Sequence, residues 1–330
     1  MRQALEPILK INNLQTHFFT KAGILKAVDG VSFEIAAGEI VGLVGESGSG
    51  KSITGFSVMG LVDPPGKIID GNINFKGKDL SALSNDQMQN IRGNRIAMIF
   101  QDPMMTLNPV LRIETQMIEA IQAHDGSISR EDARVRSRDT LGLVGISSPD
   151  ERLRAYPHQF SGGMRQRVSI AIAMLNRPDL IIADEPTTAL DVTIQGQVIS
   201  EMQKLCRETQ TALLWITHDL AVVAGIADRV CVMYAGRIVE QGLVADIIAN
   251  PMHPYTQGLM GSVPSQNQRG KPLQQIDGMV PSMLNLPVGC AFQNRCNYAN
   301  EKCSNIQPDI TQLADGRQVR CFNIPVGQPL

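Results

Sequence analysis

The stretch Gly45-Glu-Ser-Gly-Ser-Gly-Lys-Ser52 lies between a short apolar segment, 39–44, and an apolar segment with helical spacing that extends to Leu61. The order strand, glycine loop, helix is typical of a phosphate-binding loop, because glycines let consecutive N–H groups face an anion at a helix N-terminus. Lys51 adds a positive charge for the β- and γ-phosphates, and Ser52 offers a hydroxyl to Mg²⁺. We call this stretch the P-loop. The alternative interpretation of this stretch is a glycine turn that happens to precede Lys-Ser and binds no phosphate.

The rest of the chain has the pattern of an α/β protein. Apolar segments of strand length occur at 180–183 and 213–217, and residues 110–154 are mainly helical in pattern. Buried strands separated by helices imply a largely parallel sheet that is covered on both faces. After about residue 250 the chain becomes rich in proline and contains four of its six cysteines. This change predicts a small loop-rich C-terminal extension.

Composition and charge exclude some classes of partner. The net charge is −2, which gives no strong field for nucleic acid or for an anionic lipid surface, so we expect no nucleic-acid partner. No apolar run approaches the roughly 18 residues that span a bilayer, and the N-terminus lacks the apolar core of a signal peptide. We therefore expect a cytosolic chain with reduced thiols.

A second candidate site is the segment Leu180-Ile-Ile-Ala-Asp184-Glu185, an apolar strand that ends in two carboxylates. At a strand end beside the P-loop, Asp184 would hold Mg²⁺ directly or through water. Glu185 would polarise the attacking water as a general base. The alternative is a simple helix start, because Asp-Glu-Pro is also a good helix N-terminus.

The segment Phe160-Ser-Gly-Gly-Met-Arg-Gln-Arg167 predicts a second anion site at a helix N-terminus. A P-loop protein needs one such site for its own nucleotide. A second site is useful if it binds the γ-phosphate of an ATP that another subunit holds. The alternative is a Ser-capped helix without catalytic consequence.

With these motifs in this order, residues 8–250 resemble the ABC transporter ATPase family. The resemblance implies an ATPase of the translocase class that uses ATP and Mg²⁺. It implies a P-loop NTPase fold of the ABC nucleotide-binding type, with a mostly parallel sheet, an antiparallel β portion and a helical subdomain at about 105–160. We expect this domain to cover 1–250 and the Cys-containing extension to cover 251–330.

The resemblance also assigns the residues of the ATP site. Those that bind the phosphates of ATP are Gly45, Glu46, Ser47, Gly48, Ser49, Gly50, Lys51 and Ser52. Those that hold Mg²⁺ are Ser52, Gln101 and Asp184, and those that take part in catalysis are Gln101, Glu185 and His218. For the aromatic residue that stacks on adenine we prefer Phe18 to its neighbour Phe19, and either could instead be a core aromatic.

Other family motifs concern a partner subunit. The residues that would face the ATP of that subunit are Ser161, Gly162, Gly163 and Gln166, and the D-loop contains Asp191. Phe160 stands where the family usually has leucine. This departure should not affect phosphate binding, because the serine and the glycines make the contacts with the phosphate.

The segment His253-Pro-Tyr-Thr256 alone predicts a turn with an aromatic anchor. Together with the cysteine segment it resembles the C-terminal extension of the oligopeptide and dipeptide permease ATPases. That resemblance implies import of di- or oligopeptides through two separate transmembrane permease subunits. It also implies an extracytoplasmic binding protein, a second and related ATPase subunit, and a peripheral location on the cytoplasmic face of the inner membrane.

Other functions of this subgroup stay open at this stage. The same motor serves nickel, glutathione and antimicrobial-peptide systems in the subgroup. A soluble ABC ATPase of DNA repair or translation is a further alternative, and a regulatory or structural module is a third. The translation type usually has two cassettes in one chain, and the repair type has a long insertion before the signature motif. The intact Glu185 speaks against a regulatory module.

Four clustered thiols in the extension suggest a metal-held fold in a reducing compartment; they are Cys290, Cys296, Cys303 and Cys321. Their gaps are wider than the paired spacings of zinc sites. Four thiolates equally ligate a [4Fe–4S] cluster, which some peptide-importer ATPases that resemble this chain carry. We expect that cluster in preference to zinc or to no metal. Nothing in the sequence links this extension to the ATP site, so its metal would only hold the extension together.

Overall fold

A computed structural model of the chain describes residues 6–187, 192–262 and 276–324. Its internal contacts divide the chain into two compact units. Unit 1 comprises Ala36–Glu39 and Ala82–Leu214, and unit 2 comprises Pro7–Ile35, Ile40–Ser81 and the described residues from Trp215 onward. The expected domain boundary at about residue 250 stays a prediction.

Strands and helices alternate along most of the described chain. The strands are β1 (Pro7–Thr20), β2 (Gly23–Ala36), β3 (Ile40–Val44), β4 (Gly66–Phe75), β5 (Lys78–Asp79), β6 (Ile96–Ile99), β7 (Leu180–Asp184), β8 (Ala212–Thr217), β9 (Arg229–Tyr234), β10 (Arg237–Leu243), β11 (Thr311–Gln312) and β12 (Gln318–Val319). The helices are α1 (Lys51–Met59), α2 (Asn85–Gln89), α3 (Ile113–Gln122), α4 (Arg130–Leu143), α5 (Pro149–Leu153), α6 (Gly162–Met174), α7 (Val192–Thr209), α8 (Leu220–Ile226), α9 (Val244–Ala249), α10 (Pro254–Gly261) and α11 (Glu301–Asn305). No helix in these described ranges has both the length and the apolar character needed to cross a bilayer.

Unit 2 contains the predicted antiparallel β portion, a sheet with strand order β2-β1-β4-β5 among the described residues. Strand β1 pairs antiparallel with β4, so that Leu9 lies opposite Phe75 and Phe18 opposite Gly66. The alternating pattern of β1 suggests an edge strand, but the strand lies between two others. Ile8, Leu9, Ile11 and Leu14 of this strand are buried, and their burial explains the alternation without an exposed edge.

Unit 2 also contains the strand that leads into the P-loop. Strand β3 is wholly buried and pairs in parallel with β9, with Val44 opposite Val232. Strands β9 and β10 form an antiparallel hairpin. The C-terminal strand β12 then pairs antiparallel with β10, with Glu240 opposite Val319. The extension thus adds a strand pairing to unit 2.

Unit 1 contains the strand of the two carboxylates and most of the predicted helical segment. Strands β6 and β7 pair in parallel, with Ile96 opposite Leu180, and every residue of both strands is buried. Helices α3, α4 and α5 follow β6 and fall within the predicted helical region. Helix α4 begins at an N-cap, Ser129, whose side chain accepts a hydrogen bond from the Asp132 N–H.

Candidate functional site

The P-loop connects β3 to α1 in unit 2 and is closed by its own hydrogen bonds. The N–H of Ser49 donates to the carbonyl of Glu46 (3.2 Å), and the N–H of Thr54 donates to the carbonyl of Gly50 (3.0 Å). The buried Lys51 ammonium donates to the carbonyls of Gly45 (2.7 Å) and Glu46 (3.0 Å). The lysine charge therefore already lies inside the loop, where phosphate oxygens could replace these carbonyls as its partners.

Two glycines of the P-loop are required by geometry. Gly50 has φ +103° as the N-cap of α1, and a Cβ there would overlap the carbonyl oxygen of Ala27. A Cβ at Gly45 would overlap the carbonyl oxygen of Met233. No other residue fits these two positions without moving the backbone. The predicted order of strand, glycine loop and helix is thus present, and packing against β2 and β9 explains two of the glycines.

The two predicted carboxylates of unit 1 differ in their surroundings. Asp184 is the last residue of β7 and is buried. Glu185 follows it with φ +46°, a left-handed backbone that is costly for a residue with a side chain. Its carboxylate accepts a hydrogen bond from Gln101 Nε2 at 3.2 Å. The structure thus brings together two of the three predicted catalytic residues, which are 84 residues apart in sequence.

The predicted signature motif forms the start of α6. Ser161 is the N-cap, and its hydroxyl accepts the Met164 N–H at 3.3 Å. Ser161 and Gly162 are exposed, so the N-terminus of this 13-residue helix is open to a ligand. Gln166 is only 2% exposed, and within the described part of the chain its Nε2 has no hydrogen-bond partner. Gln166 is therefore buried, whereas Ser161, Gly162 and Gly163 are at least partly exposed.

The remaining predicted ATP-site residues fall at several places. His218 is exposed and directly follows β8, before the Asp219 side chain that caps α8. The ring of Phe18 lies against Gly66, whereas Phe19 is 46% exposed. Asp191 lies outside the described residues. The predicted roles of all these residues stay predictions.

The four thiols of the extension lie near one another in unit 2. Burial, with smaller contributions from the charges of the other three thiols, raises the pKa of Cys321 to about 11. Burial likewise raises the pKa of Cys290 and of Cys296, and the Cys303 thiol adds to both shifts. However, no group of His, Cys, Asp or Glu side chains within the described ranges has an arrangement that could hold a metal ion. The geometry therefore does not support the predicted metal site.

All six cysteines lie among the described residues, and none of them forms a disulfide bond. Cys206 and Cys231 are buried in the core. Burial raises the pKa of the Cys206 thiol to about 12, so this thiol is protonated and unreactive at neutral pH.

The expectation that nothing links the extension to the ATP site is wrong. Arg295 of the extension forms a bidentate ion pair with Glu46 of the P-loop, with N···O distances of 2.6 and 2.9 Å. The hydroxyl of Tyr255 accepts the Glu46 N–H at 2.8 Å. No pattern in the sequence predicts the ion pair, because its two residues are 249 positions apart.

The segment His253-Pro-Tyr-Thr256 is anchored as the sequence predicts, and it also begins α10. Tyr255 is fully buried, and the Nδ1 atom of His253 accepts the Tyr255 N–H at 3.0 Å. The buried Glu240 carboxylate accepts the N–H groups of Met252 (2.8 Å) and His253 (2.9 Å). Burial raises the pKa of Glu240 and lowers that of His253 to about 3. A neutral imidazole and a buried carboxyl thus cap this helix.

Comparison with known proteins agrees with this arrangement of motifs. Residues 28–188 match the ABC transporter family, and residues 239–303 match the family described as the oligopeptide/dipeptide transporter C-terminal region. The chain is 50% identical over 319 residues to the oligopeptide transport ATP-binding protein AppD of Bacillus subtilis, with 96% of this chain and 97% of that protein covered. It is 46% identical over 314 residues to the dipeptide transport ATP-binding protein DppD of Escherichia coli, with 95% and 96% covered.

A solved structure gives the same fold. The dimeric structure of MJ0796, described as a bacterial ABC transporter cassette, aligns with a TM-score of 0.65 at 28% identity. The alignment covers 72% of this chain and 98% of that one. The chain is thus an α/β protein with the ABC nucleotide-binding fold, and it belongs to the ABC transporter ATP-binding proteins of the oligopeptide/dipeptide group.

Proposed function

We propose that this chain binds and hydrolyses ATP as the motor subunit of a binding-protein-dependent importer of di- or oligopeptides. The hydrogen bond between Gln101 and Glu185 is the observation that carries the hydrolytic part, because it holds a carboxylate at the end of a buried strand. The names of the AppD and DppD relatives, which match over at least 95% of this chain, support the peptide part.

In the proposed mechanism the P-loop N–H groups bind the phosphates, and the Lys51 ammonium exchanges its loop carbonyls for phosphate oxygens. Ser52, Asp184 and Gln101 would hold Mg²⁺, which neutralises charge on the phosphates when it is bound. Glu185 takes a proton from the attacking water. His218 contacts the γ-phosphate and stabilises the charge that develops there.

The same proposal includes a second ATPase subunit. The exposed N-terminus of α6, with Ser161 and Gly163, would bind the γ-phosphate of the ATP held by that subunit. Two ATP molecules would then lie between two subunits, and closure of this pair would drive two permease subunits into a new conformation. An extracytoplasmic binding protein would deliver the peptide, and the motor would lie peripherally on the cytoplasmic face of the inner membrane.

The variant Glu185→Gln tests the hydrolytic assignment. It keeps the size of the side chain and its contact with Gln101 but removes the base, so it should retain ATP binding. Its turnover in the reconstituted transporter should fall by about 10²–10⁴-fold, the range expected for a general base. Near-normal turnover would show that another group activates the water.

Uptake measurements test the substrate class. Vesicles with the assembled transporter should take up labelled di- or oligopeptides when ATP is present inside. Nickel, glutathione and an antimicrobial peptide serve as competing substrates in the same assay. Uptake of one of these without peptide uptake would retain the ATPase assignment and replace the substrate.

We also propose that the four thiols of the extension ligate a [4Fe–4S] cluster of structural function. The proposal rests on the four clustered thiols and on hydrogen bonds to two of them, because Asn323 donates from its backbone N–H to Cys321 Sγ (3.3 Å) and from Nδ2 to Cys303 Sγ (3.6 Å). Hydrogen bonds to sulfur are typical of such sites. The N–H of Cys290 donates to the carbonyl of Cys303 (2.8 Å), which ties two of the thiol-bearing segments together.

Anaerobic purification tests this assignment. A brown protein with about four irons per chain and matching sulfide is expected for a [4Fe–4S] cluster. The variant Cys303→Ser should lose the colour, whereas Cys206→Ser, in the core of unit 1, should keep it. A colourless protein with one zinc, or with no metal, would reject the cluster.

A further inference from the structure

Glu46, the second residue of the P-loop, has hydrogen-bond partners for its side chain and for both of its backbone polar groups. Its carboxylate accepts two hydrogen bonds from Arg295 (2.6 and 2.9 Å). Its N–H donates to the hydroxyl of Tyr255 (2.8 Å). Its carbonyl accepts the Ser49 N–H (3.2 Å) and a hydrogen bond from the Lys51 ammonium (3.0 Å). Glu46 thus joins the C-terminal extension to the lysine that would bind phosphate.

Arg295 is fixed rather than mobile on the surface. Its side chain is 5% exposed, and its Nε donates to the carbonyl of Asp277 (2.9 Å). A further hydrogen bond reaches the carbonyl of Ile276 (3.3 Å), and the guanidinium lies 5.9 Å from the ring centre of Phe292. A guanidinium held by carbonyls and by an aromatic ring presents its planar fork in one orientation, which suits bidentate binding of a carboxylate.

Tyr255 is fixed by the aromatic residues around it. Its fully buried ring lies 4.6 Å from that of Tyr234 and 5.5 Å from that of Phe292. Tyr234 is the last residue of β9, whereas Phe292 and Tyr255 both belong to the extension, with Tyr255 in α10. The hydroxyl is therefore held in place by packing, and it meets the N–H of Glu46 at an ordinary hydrogen-bond distance.

We propose that Arg295 and Tyr255 are positioning residues that hold the P-loop in its nucleotide-binding conformation through Glu46, so that the C-terminal extension sets the affinity for ATP. The proposal rests on the proposed ATP binding and deepens it. A glycine-rich loop loses conformational freedom when it closes around phosphates. Contacts that order the loop in advance reduce that loss and strengthen binding.

A purely structural role for this ion pair makes a different prediction. A staple that only joins the extension to unit 2 would change the free energy of unfolding and leave nucleotide binding by the folded chain unaltered. A positioning role changes the dissociation constant for ATP and the KM of the transporter. Replacement of Arg295 or Tyr255 should leave kcat within about twofold, because neither side chain is placed at the reacting atoms.

The test uses the full chain with the variants Arg295→Gln, Glu46→Gln and the double variant. Binding of a non-hydrolysable ATP analogue should be about tenfold weaker in Arg295→Gln, equivalent to about 1.4 kcal/mol. The double variant should bind no more weakly than Arg295→Gln, because both changes remove the same interaction. Tyr255→Phe removes one neutral hydrogen bond, and binding should weaken about fivefold.

Arg317→Gln is the matched control. Arg317 is another buried arginine of the extension, and it pairs with Asp315 (2.7 Å) and donates to the carbonyl of Asp246 (3.1 Å). None of its hydrogen bonds within the described residues reaches the P-loop. This variant should unfold at a lower temperature and retain the wild-type affinity for the ATP analogue.

Several outcomes would overturn the proposal. Wild-type affinity in a folded Arg295→Gln chain would reject the positioning role alone. So would a double variant in which the two losses add, or an equal loss in Arg317→Gln. If Arg295→Gln fails to fold, Glu46→Gln decides the question, because its side chain is 30% exposed and the substitution keeps its size. A wild-type chain that binds no ATP would reject the proposed function together with this inference.

Discussion

The buried imidazole of His253 should make the stability of unit 2 depend on pH. Burial lowers its pKa from 6.5 to about 3, and only 2% of the surface of His253 is exposed. Because the folded pKa is depressed, this contribution to stability is fully present above pH 6.5 and is lost as the pH falls towards 3. At pH 5 the unfolded chain gains about 2 kcal/mol from protonation that the folded chain does not gain.

The variant His253→Asn isolates this effect. Asparagine keeps an acceptor at the N-cap of α10 but does not titrate. Glu240, whose carboxylate accepts the His253 N–H, acts with the opposite sign: its pKa is raised by burial, so its contribution is lost as the pH rises. Glu240 is present in both proteins, and its effect therefore cancels when the two pH profiles are subtracted.

Urea unfolding of both proteins at pH 7.5 and pH 5 measures the difference, followed by the fluorescence of Trp215. This residue is the only tryptophan in the sequence, is fully buried and belongs to the same unit as His253. Between the two pH values the wild type should lose about 2 kcal/mol more than the variant. Parallel pH profiles would show that the imidazole is protonated in the folded chain and that the reasoning is wrong.

Three further predictions concern the ATP site and docking. Lys51→Ala removes the charge inside the P-loop and should abolish ATP binding or turnover, which equilibrium binding and ATPase assays measure; full affinity would contradict the phosphate assignment. Gly50→Ala places a Cβ against the Ala27 carbonyl at φ +103°, so it should weaken nucleotide binding and lower the melting temperature. Unchanged binding and melting would refute the packing argument. Cysteine crosslinking should capture the permease subunit at the junction of Gln101 with the mainly helical segment of about residues 110–160; crosslinks confined to the extension would refute this docking surface.

The sequence alone determined the motifs that depend on short stretches of chain. The P-loop, the strand that ends at Asp184 and the Ser-capped helix at Ser161 are each defined within about ten residues. Their glycines, apolar runs and caps follow local geometry.

Only the tertiary structure decided the contacts between distant segments. The edge position predicted for β1 was wrong, because alternation reports which face is buried and does not report how many neighbours a strand has. The left-handed backbone of Glu185 and its contact with Gln101 also required the folded chain. The ion pair of Glu46 with Arg295 joins residues 249 positions apart. No local periodicity encodes such a pair, because it forms only when the extension, which includes α10, packs against β9 and buries the arginine beside the P-loop.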